Sequence, residues 1–313
     1  FNQAFFTEFN TLAIILASIF TILAVISIAE KDRTEYFGFA EKSVKTSFKD
    51  YWPVIKRNRP LQMLIVAAST DKLAGSILRN PVIPVMLFGI LLGDYALSGT
   101  ISMFTMIPTL IITFIGVGYA RKRGLKNTFV KATWGAVLAY SLLLILFFTV
   151  SDPASISLSN IGIATIAFFV FYILGQAFMG LTGNIVIPMI ADTSDYETHI
   201  TGRYVPGMIG TIFSFIDKMI SSLATTIIGL MLSLIGFKTV FPEVDTPLTN
   251  ELFYMTLFLA FGIPIIGWII SLIAMKFYEL DDKRMEQIQT EIAEVKQMLV
   301  EKGQITVPEE QVK

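Results

Sequence analysis

The stretch GMIGTIFSFIDKMISSLATTIIGLMLSLIGF, residues 207–237, decides how this chain is read. Apart from Asp217 and Lys218 it holds no charged residue, and it exceeds the about 20 residues an α-helix needs to cross a bilayer core. Gly207, Gly210, Ser214, Lys218, Ser221 and Thr225 recur at spacings of three and four. On a helix they share one face, small and polar, while the remaining circumference is apolar. The pattern describes a membrane helix with one side turned toward something other than lipid.

Working outward, further apolar runs occupy residues 9–29, 60–92, 95–119, 132–150, 161–190 and 252–277, which gives seven spans in all. The composition agrees: 54% of the 313 residues are apolar and 16% are charged, against about 25% charged in soluble domains. The fold expected is therefore an all-α polytopic membrane protein. There is no cysteine, and His199 is the single histidine. Disulfides, thiol chemistry and multi-histidine metal clusters are excluded, and no cofactor is expected.

Lys and Arg sit on one side of this pattern. Residues 30–60 carry Lys31, Arg33, Lys42, Lys45, Lys49, Lys56, Arg57 and Arg59. Residues 119–131 carry Arg121, Lys122, Arg123, Lys126 and Lys131; Arg203 lies in 191–206, and more follow from Lys276 onward. The alternate segments 92–95 and 151–160 carry none, and 238–250 carries only Lys238. By the positive-inside rule the basic loops and the C-terminus are cytoplasmic.

The chain begins at Phe1, with no basic n-region of a signal peptide. One lone helix, a basic linker and six more helices match what remains when five helices are removed from a six-plus-six carrier. The expected organisation is residues 1–30 as the last helix of a mostly missing N-terminal half and 31–60 as a cytoplasmic central linker. Residues 61–278 then form a C-terminal six-helix half, and 279–313 a cytoplasmic amphipathic tail. Phe48, Tyr51, Trp52, Val54 and Ile55 give the linker an amphipathic stretch suited to a membrane surface. In the tail, Met285, Ile288, Ile292, Val295 and Leu299 form a helical apolar seam, read as packing on the helix bundle. Residues around Pro308 are expected to fray.

The segment Asp195-Tyr196-Glu197-Thr198-His199-Ile200-Thr201-Gly202-Arg203-Tyr204-Val205-Pro206-Gly207 has the form D-Y-x-x-x-x-T-G-x-x-x-x-G, followed eleven residues later by Lys218. This array resembles the loop between the tenth and eleventh helices, and the lysine within the eleventh, of the glycoside–pentoside–hexuronide:cation symporter family. That family is a branch of the major facilitator superfamily. Ser47-Phe48-Lys49-Asp50 through Asn58-Arg59-Pro60 resembles its central loop. Gly116-Val117-Gly118-Tyr119-Ala120-Arg121-Lys122-Arg123-Gly124 is similar to the superfamily's short basic loop between helices eight and nine. Ile200, Pro206, Asp217 and Phe213 depart from residues common in the family. The resemblance covers roughly residues 9–277. It implies a major-facilitator-type bundle, of which this chain is a fragment of a twelve-helix carrier, monomeric when full length. It implies symport of a sugar or glycoside with a cation, Na+ or H+, whose ligands lie in the missing N-terminal half.

Charges inside spans are costly, about 2.5–3.5 kcal/mol each, and call for a reason. Lys218 and Ser214 share the polar face of 207–237. That lysine either serves a solute or a carboxylate on another helix, or snorkels or pairs structurally. Asp217 points about 100° away from it and either lines a cavity or joins a helix-packing ion pair. In 60–92, charges at Asp71-Lys72 and at Arg79-Asn80-Pro81 interrupt the apolar run. They suggest a broken helix, with Arg79 in the cavity, or a part of the run at the outer interface. Gln176 and Asn184, two turns apart, face the cavity or bond between helices. Pro108 is expected to kink 95–119. Asp192, Asp195, Tyr196 and Arg203, with Arg121 and Arg123, are placed at a cytoplasmic gate or in helix-end salt bridges.

The function expected is a secondary active transporter working by alternating access in the cell membrane, with a small polar solute, a cation and the lipid bilayer as its partners. Nucleic acid is not among them. A nucleoside, an organic acid or a lysolipid is an alternative solute, and a non-transporting membrane protein an alternative class. An enzyme is not expected, since there is no His-Glu-x-x-His or Gly-x-Ser-x-Gly. Nor is there a Gly-x-x-x-x-Gly-Lys nucleotide loop. A channel lacks a repeated filter motif here.

Overall fold

The structure, a computed structural model, describes residues 3–29, 48–159 and 161–301. Among the described residues the secondary structure is helical, with no strand. Among the described residues seven helices are long and apolar enough to cross a membrane, at the places the apolar runs indicate. The chain divides into two compact units, Thr46–Gln289 and Phe1–Lys45 with Thr290–Lys313.

In the second of these, α1 (Gln3–Ala29) carries no charged residue from Leu12 onward and is apolar around most of its circumference there. Leu12, Ile14, Phe20 and Ile26 are all exposed. Its few hydroxyls turn inward: Thr11, Ser18, Thr21 and Ser27 each donate to the carbonyl four residues earlier. A stretch that satisfies its own hydroxyls and presents apolar side chains suits lipid. The basic residues Lys31, Arg33, Lys42 and Lys45, and Pro308 in the tail, lie outside the described residues.

The larger unit begins with a 3-10 turn, Phe48–Asp50, and the short α2 (Tyr51–Arg57). Of the apolar residues expected at a membrane surface, Val54 is buried and Trp52 exposed. Asn58 ends α2 and starts α3 (Arg59–Leu78): its Oδ1 accepts from Leu61 N at 2.9 Å, and Pro60 occupies the first turn. This is the preferred chemistry of a helix start. α3 runs unbroken through Asp71-Lys72. The break comes at Arg79–Pro81, where Asn80 Oδ1 accepts from Val82 N. The chain then resumes as α4 (Val82–Pro84) and a π-helical turn, Val85–Leu91. Val82–Leu91 is too short to cross a bilayer by itself.

α5 (Ala96–Arg123), α6 (Leu125–Thr149), α7 (Ile163–Thr201) and α8 (Pro206–Leu234) follow. α9 (Asn250–Leu257), a π turn at Phe258–Gly262 and α10 (Ile263–Lys276) form one span, and α11 (Asp282–Glu301) begins the tail. Along α11 the seam residues Met285 and Ile288 are buried, whereas Val295 is exposed. α5 carries Pro108 within a continuous helix.

α7 corrects the sequence reading. The loop expected over 191–206 is helical as far as Thr201, and only Gly202–Val205 connect it to α8. At 1.5 Å per residue, its 39 residues span about 58 Å, well beyond the hydrocarbon core. The hydrophobicity ends near Ile190, but Ala191–Thr201 holds no Gly or Pro to stop a helix. Gly202, with φ 65°, supplies the stop, and its N–H donates to Thr198 O at 2.8 Å.

The core lies between α3, α6, α7 and α10. Tyr140 meets Trp268 edge-on at 4.9 Å between ring centroids, and Phe147 stacks on Phe261 at 5.6 Å. Glycines set how closely these helices approach. A Cβ on Gly267 of α10 would sit 2.9 Å from the Thr70 carbonyl oxygen of α3, and one on Gly175 would overlap the Tyr140 ring. On α5, Met103, Phe104, Phe114 and Ile115 are exposed, as lipid-facing side chains are.

Candidate functional site

A cavity of about 460 Å³ lies between α3, α7 and α8. Ser69, Asp71, Lys72 and Arg79 come from α3. Gly183 and Ile187 come from α7, and Phe213, Ser214, Asp217 and Lys218 from α8. Most of these residues lie in the interior of their helices, and Arg79 caps the C-terminal end of α3.

Asp71 is 6% exposed. Its Oδ1 accepts from Trp268 Nε1 at 3.0 Å and from Thr182 Oγ1 at 3.0 Å, and Oδ2 lies 3.2 Å from the same hydroxyl. Gly267 makes this possible. Without a side chain there, α10 approaches the α3 backbone, and the neighbouring indole reaches the carboxylate. The next residue, Lys72, turns the other way and pairs with Asp217 across the cavity at 2.7 Å. This is the helix-packing ion pair that the sequence left open for Asp217. The pair is half-exposed, at 36% and 40%.

Ser214 and Lys218 also line the cavity, both exposed. Among the described residues Lys218 has no ion pair, and neither does Arg79. The Arg79 guanidinium lies back over Gly75, with Nη1 3.6 Å from where a Cβ would be. Two expected residues lie off the cavity wall. Gln176 is half-buried beside Tyr172, one turn earlier on the same helix. Asn184 is exposed, one residue past Gly183 and so about 100° further round the helix.

Three of the expected gate residues, Asp192, Asp195 and Tyr196, lie toward the C-terminal end of α7. Asp192 shares its surroundings with Asp195 and Asp282. Burial, with Asp192 nearby, pushes the Tyr278 phenol above its usual range. The Tyr196 ring lies 6.5 Å from that of His199. Among the described residues Arg121, Arg123 and Arg203 form no ion pair. The pair found there joins Arg57 to Glu197. Glu197 is fully buried, and Asn58 Nδ2 donates to its Oε2 at 3.2 Å and to Thr193 O at 3.1 Å. Sequence reasoning missed Asn58 and Glu197. The Asn-Arg-Pro helix start was a usable signal for the first. Asp71 was noticed only as an interruption, and nothing in sequence connects it to Thr182 and Trp268.

A bundle of membrane-crossing helices around a charged, hydroxyl-bearing cavity is the architecture of a membrane carrier. Residues 6–282 match the family described as MFS/sugar transport protein, and the chain belongs to that family, whose members are transporters rather than enzymes. It is similar to the glucuronide carrier protein homolog of Escherichia coli (strain K12), with 28% identity over 246 residues, 76% of this chain and 48% of that protein. The chain therefore spans about half the length of the curated relative it matches.

Proposed function

We propose that the whole protein is a secondary active carrier that moves a sugar or glycoside together with a cation across the cell membrane by alternating access. The cavity between α3, α7 and α8 is this chain's share of the solute site, and the C-terminal tail is cytoplasmic. The observation that carries the reading is the lining. Ser69, Ser214 and the half-exposed Lys72–Asp217 pair offer donors and acceptors that match sugar hydroxyls. The volume is in the range of small-molecule sites. Arg79 and Lys218 add two cations without ion-pair partners among the described residues, which favours a solute with a negative group. An acidic glycoside is accordingly the first solute to test, and the name of the Escherichia coli relative supports the choice.

The test is uptake of a labelled glucuronide by proteoliposomes holding the full-length protein. Saturable, gradient-driven accumulation is expected. Lys218→Met should lower it at least tenfold at normal membrane abundance, and Lys218→Arg should impair it less, because it keeps the charge but changes the donor geometry. Wild-type uptake that does not saturate with any sugar, nucleoside or lysolipid would overturn the carrier reading. The orientation is checked at Ser155, exposed in the turn between α6 and α7. A cysteine there should react with an impermeant reagent from outside; labelling only from the cytoplasmic side reverses the topology.

A further inference from the structure

The cavity wall presents three cations, Lys72 and Arg79 from α3 and Lys218 from α8. Of its two carboxylates, Asp71 is buried and already accepts from Thr182 and Trp268. Asp217 is therefore the one carboxylate that an entering solute meets in the open among the described lining residues. An acid is drawn in by the excess of positive charge and repelled by Asp217. At 2.7 Å from Lys72 Nζ, Asp217 Oδ1 takes up on that ammonium the place a solute carboxylate would fill. Both partners are half-exposed, and ion pairs with water around them hold weakly. This pair can be exchanged at little cost, unlike the one on the fully buried Glu197. Ser69 lies three residues before Lys72, and Ser214 three before Asp217. Each serine shares a helix face with its charged neighbour and lines the same cavity.

We infer that Asp217 is a built-in stand-in for the solute's carboxylate, and that the solute binds by exchange. Its own carboxylate takes Lys72, and one of its hydroxyls donates to the released Asp217. The inference rests on the transport reading above and narrows its solute class to hydroxy acids with the two groups on neighbouring carbons, as in a glucuronide. An ammonium only donates and a carboxylate only accepts, so the exchange is complete only if the solute brings both an acceptor and a donor. A neutral sugar offers hydroxyls to Asp217 but has no charge to replace it on Lys72, and the pair stays closed. A simple acid takes Lys72 but leaves Asp217 without a donor and beside a second negative charge. Lys218 does not rescue Asp217 in that case, because it points about 100° away on the same helix. Asp217 thus works as a repulsive element against acids that lack the hydroxyl, and Lys72 as the attractive element for those that have it.

The test is calorimetric binding of methyl glucuronide, methyl glucoside and cyclohexanecarboxylate to the purified full-length carrier. The wild type should bind methyl glucuronide most tightly. Asp217→Asn and Lys72→Met break the same ion pair, yet the exchange gives them opposite effects. Asp217→Asn frees Lys72 and removes the repulsion. The preference for methyl glucuronide over methyl glucoside should rise about fivefold, the upper end of what a half-exposed ion pair contributes. Cyclohexanecarboxylate should gain at least as much. Lys72→Met leaves Asp217 facing the solute alone, and the same preference should fall by about fivefold or more. Asp217→Glu keeps the charge and should restore the wild-type order of the three. Should either first variant not purify, Asp217→Ser or Lys72→Gln is measured in its place. A pair that only fastens α3 to α8 would shift all solutes alike in both variants. That result overturns the inference, as does a preference moving the same way in both, or a wild type that binds none of the three. Wild-type protein that binds methyl glucoside as tightly as methyl glucuronide also overturns it, and leaves sugar transport standing. Wild-type protein that binds methyl glucuronide but never accumulates it in proteoliposomes ends the transport reading instead, and the two preferences still decide the exchange.

Discussion

α3 and α8 face each other across the cavity, and each carries an Asp-Lys dipeptide: Asp71-Lys72 and Asp217-Lys218. The two pairs are alike in sequence and opposite in environment. Asp71 is buried against α7 and α10, whereas Asp217 is open to the cavity and holds the lysine of the other pair. The glycines divide in the same way. Those facing α3 and α6 mark close helix contacts, at Gly267 and Gly175, while a Cβ on Gly207, Gly210 or Gly229 of α8 would meet nothing within 4 Å. A small or charged residue in a membrane helix therefore has no fixed meaning. The neighbouring helix decides whether it is a contact or an opening.

The contact side should break hardest. Gly267→Ala places a methyl group 2.9 Å from the Thr70 carbonyl oxygen, and backbone cannot move aside as a side chain can. The expected loss is about 3 kcal/mol, the upper part of the overpacking range. It should appear as a lower thermal midpoint of the purified full-length protein and reduced membrane abundance. A midpoint equal to wild type would show that α10 does not approach α3 this closely.

Next comes Arg57→Met. It leaves Glu197 buried, with only the Asn58 amide donating to its carboxylate. Removing one partner of a buried pair costs about 3–5 kcal/mol. Arg57 is 40% exposed, so water already screens part of the interaction, and about 2 kcal/mol is the better expectation. The double variant Arg57→Met/Glu197→Gln removes the stranded charge and should recover most of the loss. A double variant no more stable than Arg57→Met would mean that the guanidinium acts through packing on α7 instead of through charge.

These two sites also show where sequence reading succeeds and stops. The spans were legible because about 20 apolar residues in a row have few other uses. The end of α7 was not, because hydropathy marks where lipid ends, and a helix ends only where its backbone is stopped, here at Gly202. Lys218, Ser214 and Arg79 stand out in the sequence because a polar residue in an apolar run is conspicuous. Asp71, Thr182 and Trp268 are far apart in sequence. Their meeting depends on how closely α10 approaches α3, which Gly267 permits and no local pattern reveals. Glu197 sits among so many polar neighbours that nothing marks it as the buried one.

Smaller effects belong to the open side. Lys72→Met and Asp217→Asn each remove one member of a half-exposed pair. Such pairs contribute about 0–1 kcal/mol, so thermal stability should change by less than that in either variant. The coupling energy from a double-mutant cycle should stay within the same limit. A coupling above about 2 kcal/mol would place the pair among buried ion pairs, closed off from any solute.

Gly210→Ala should do least. Gly210 lies on the polar face of α8, and the space where its Cβ would stand is empty. Alanine also favours the helix over glycine by up to about 1 kcal/mol in water. The expected change in thermal midpoint is therefore zero or slightly positive, in a residue type whose replacement at Gly267 is ruinous. The contrast is sharpest if both variants are made in the full-length protein, where every helix is present. A loss of about 2 kcal/mol or more at Gly210 would mean that another helix packs there, and the small face of α8 would then be a contact like that of α10. Stability preserved together with slower solute uptake would have the opposite meaning. The methyl group would then be narrowing a space that the carrier keeps open for its cargo.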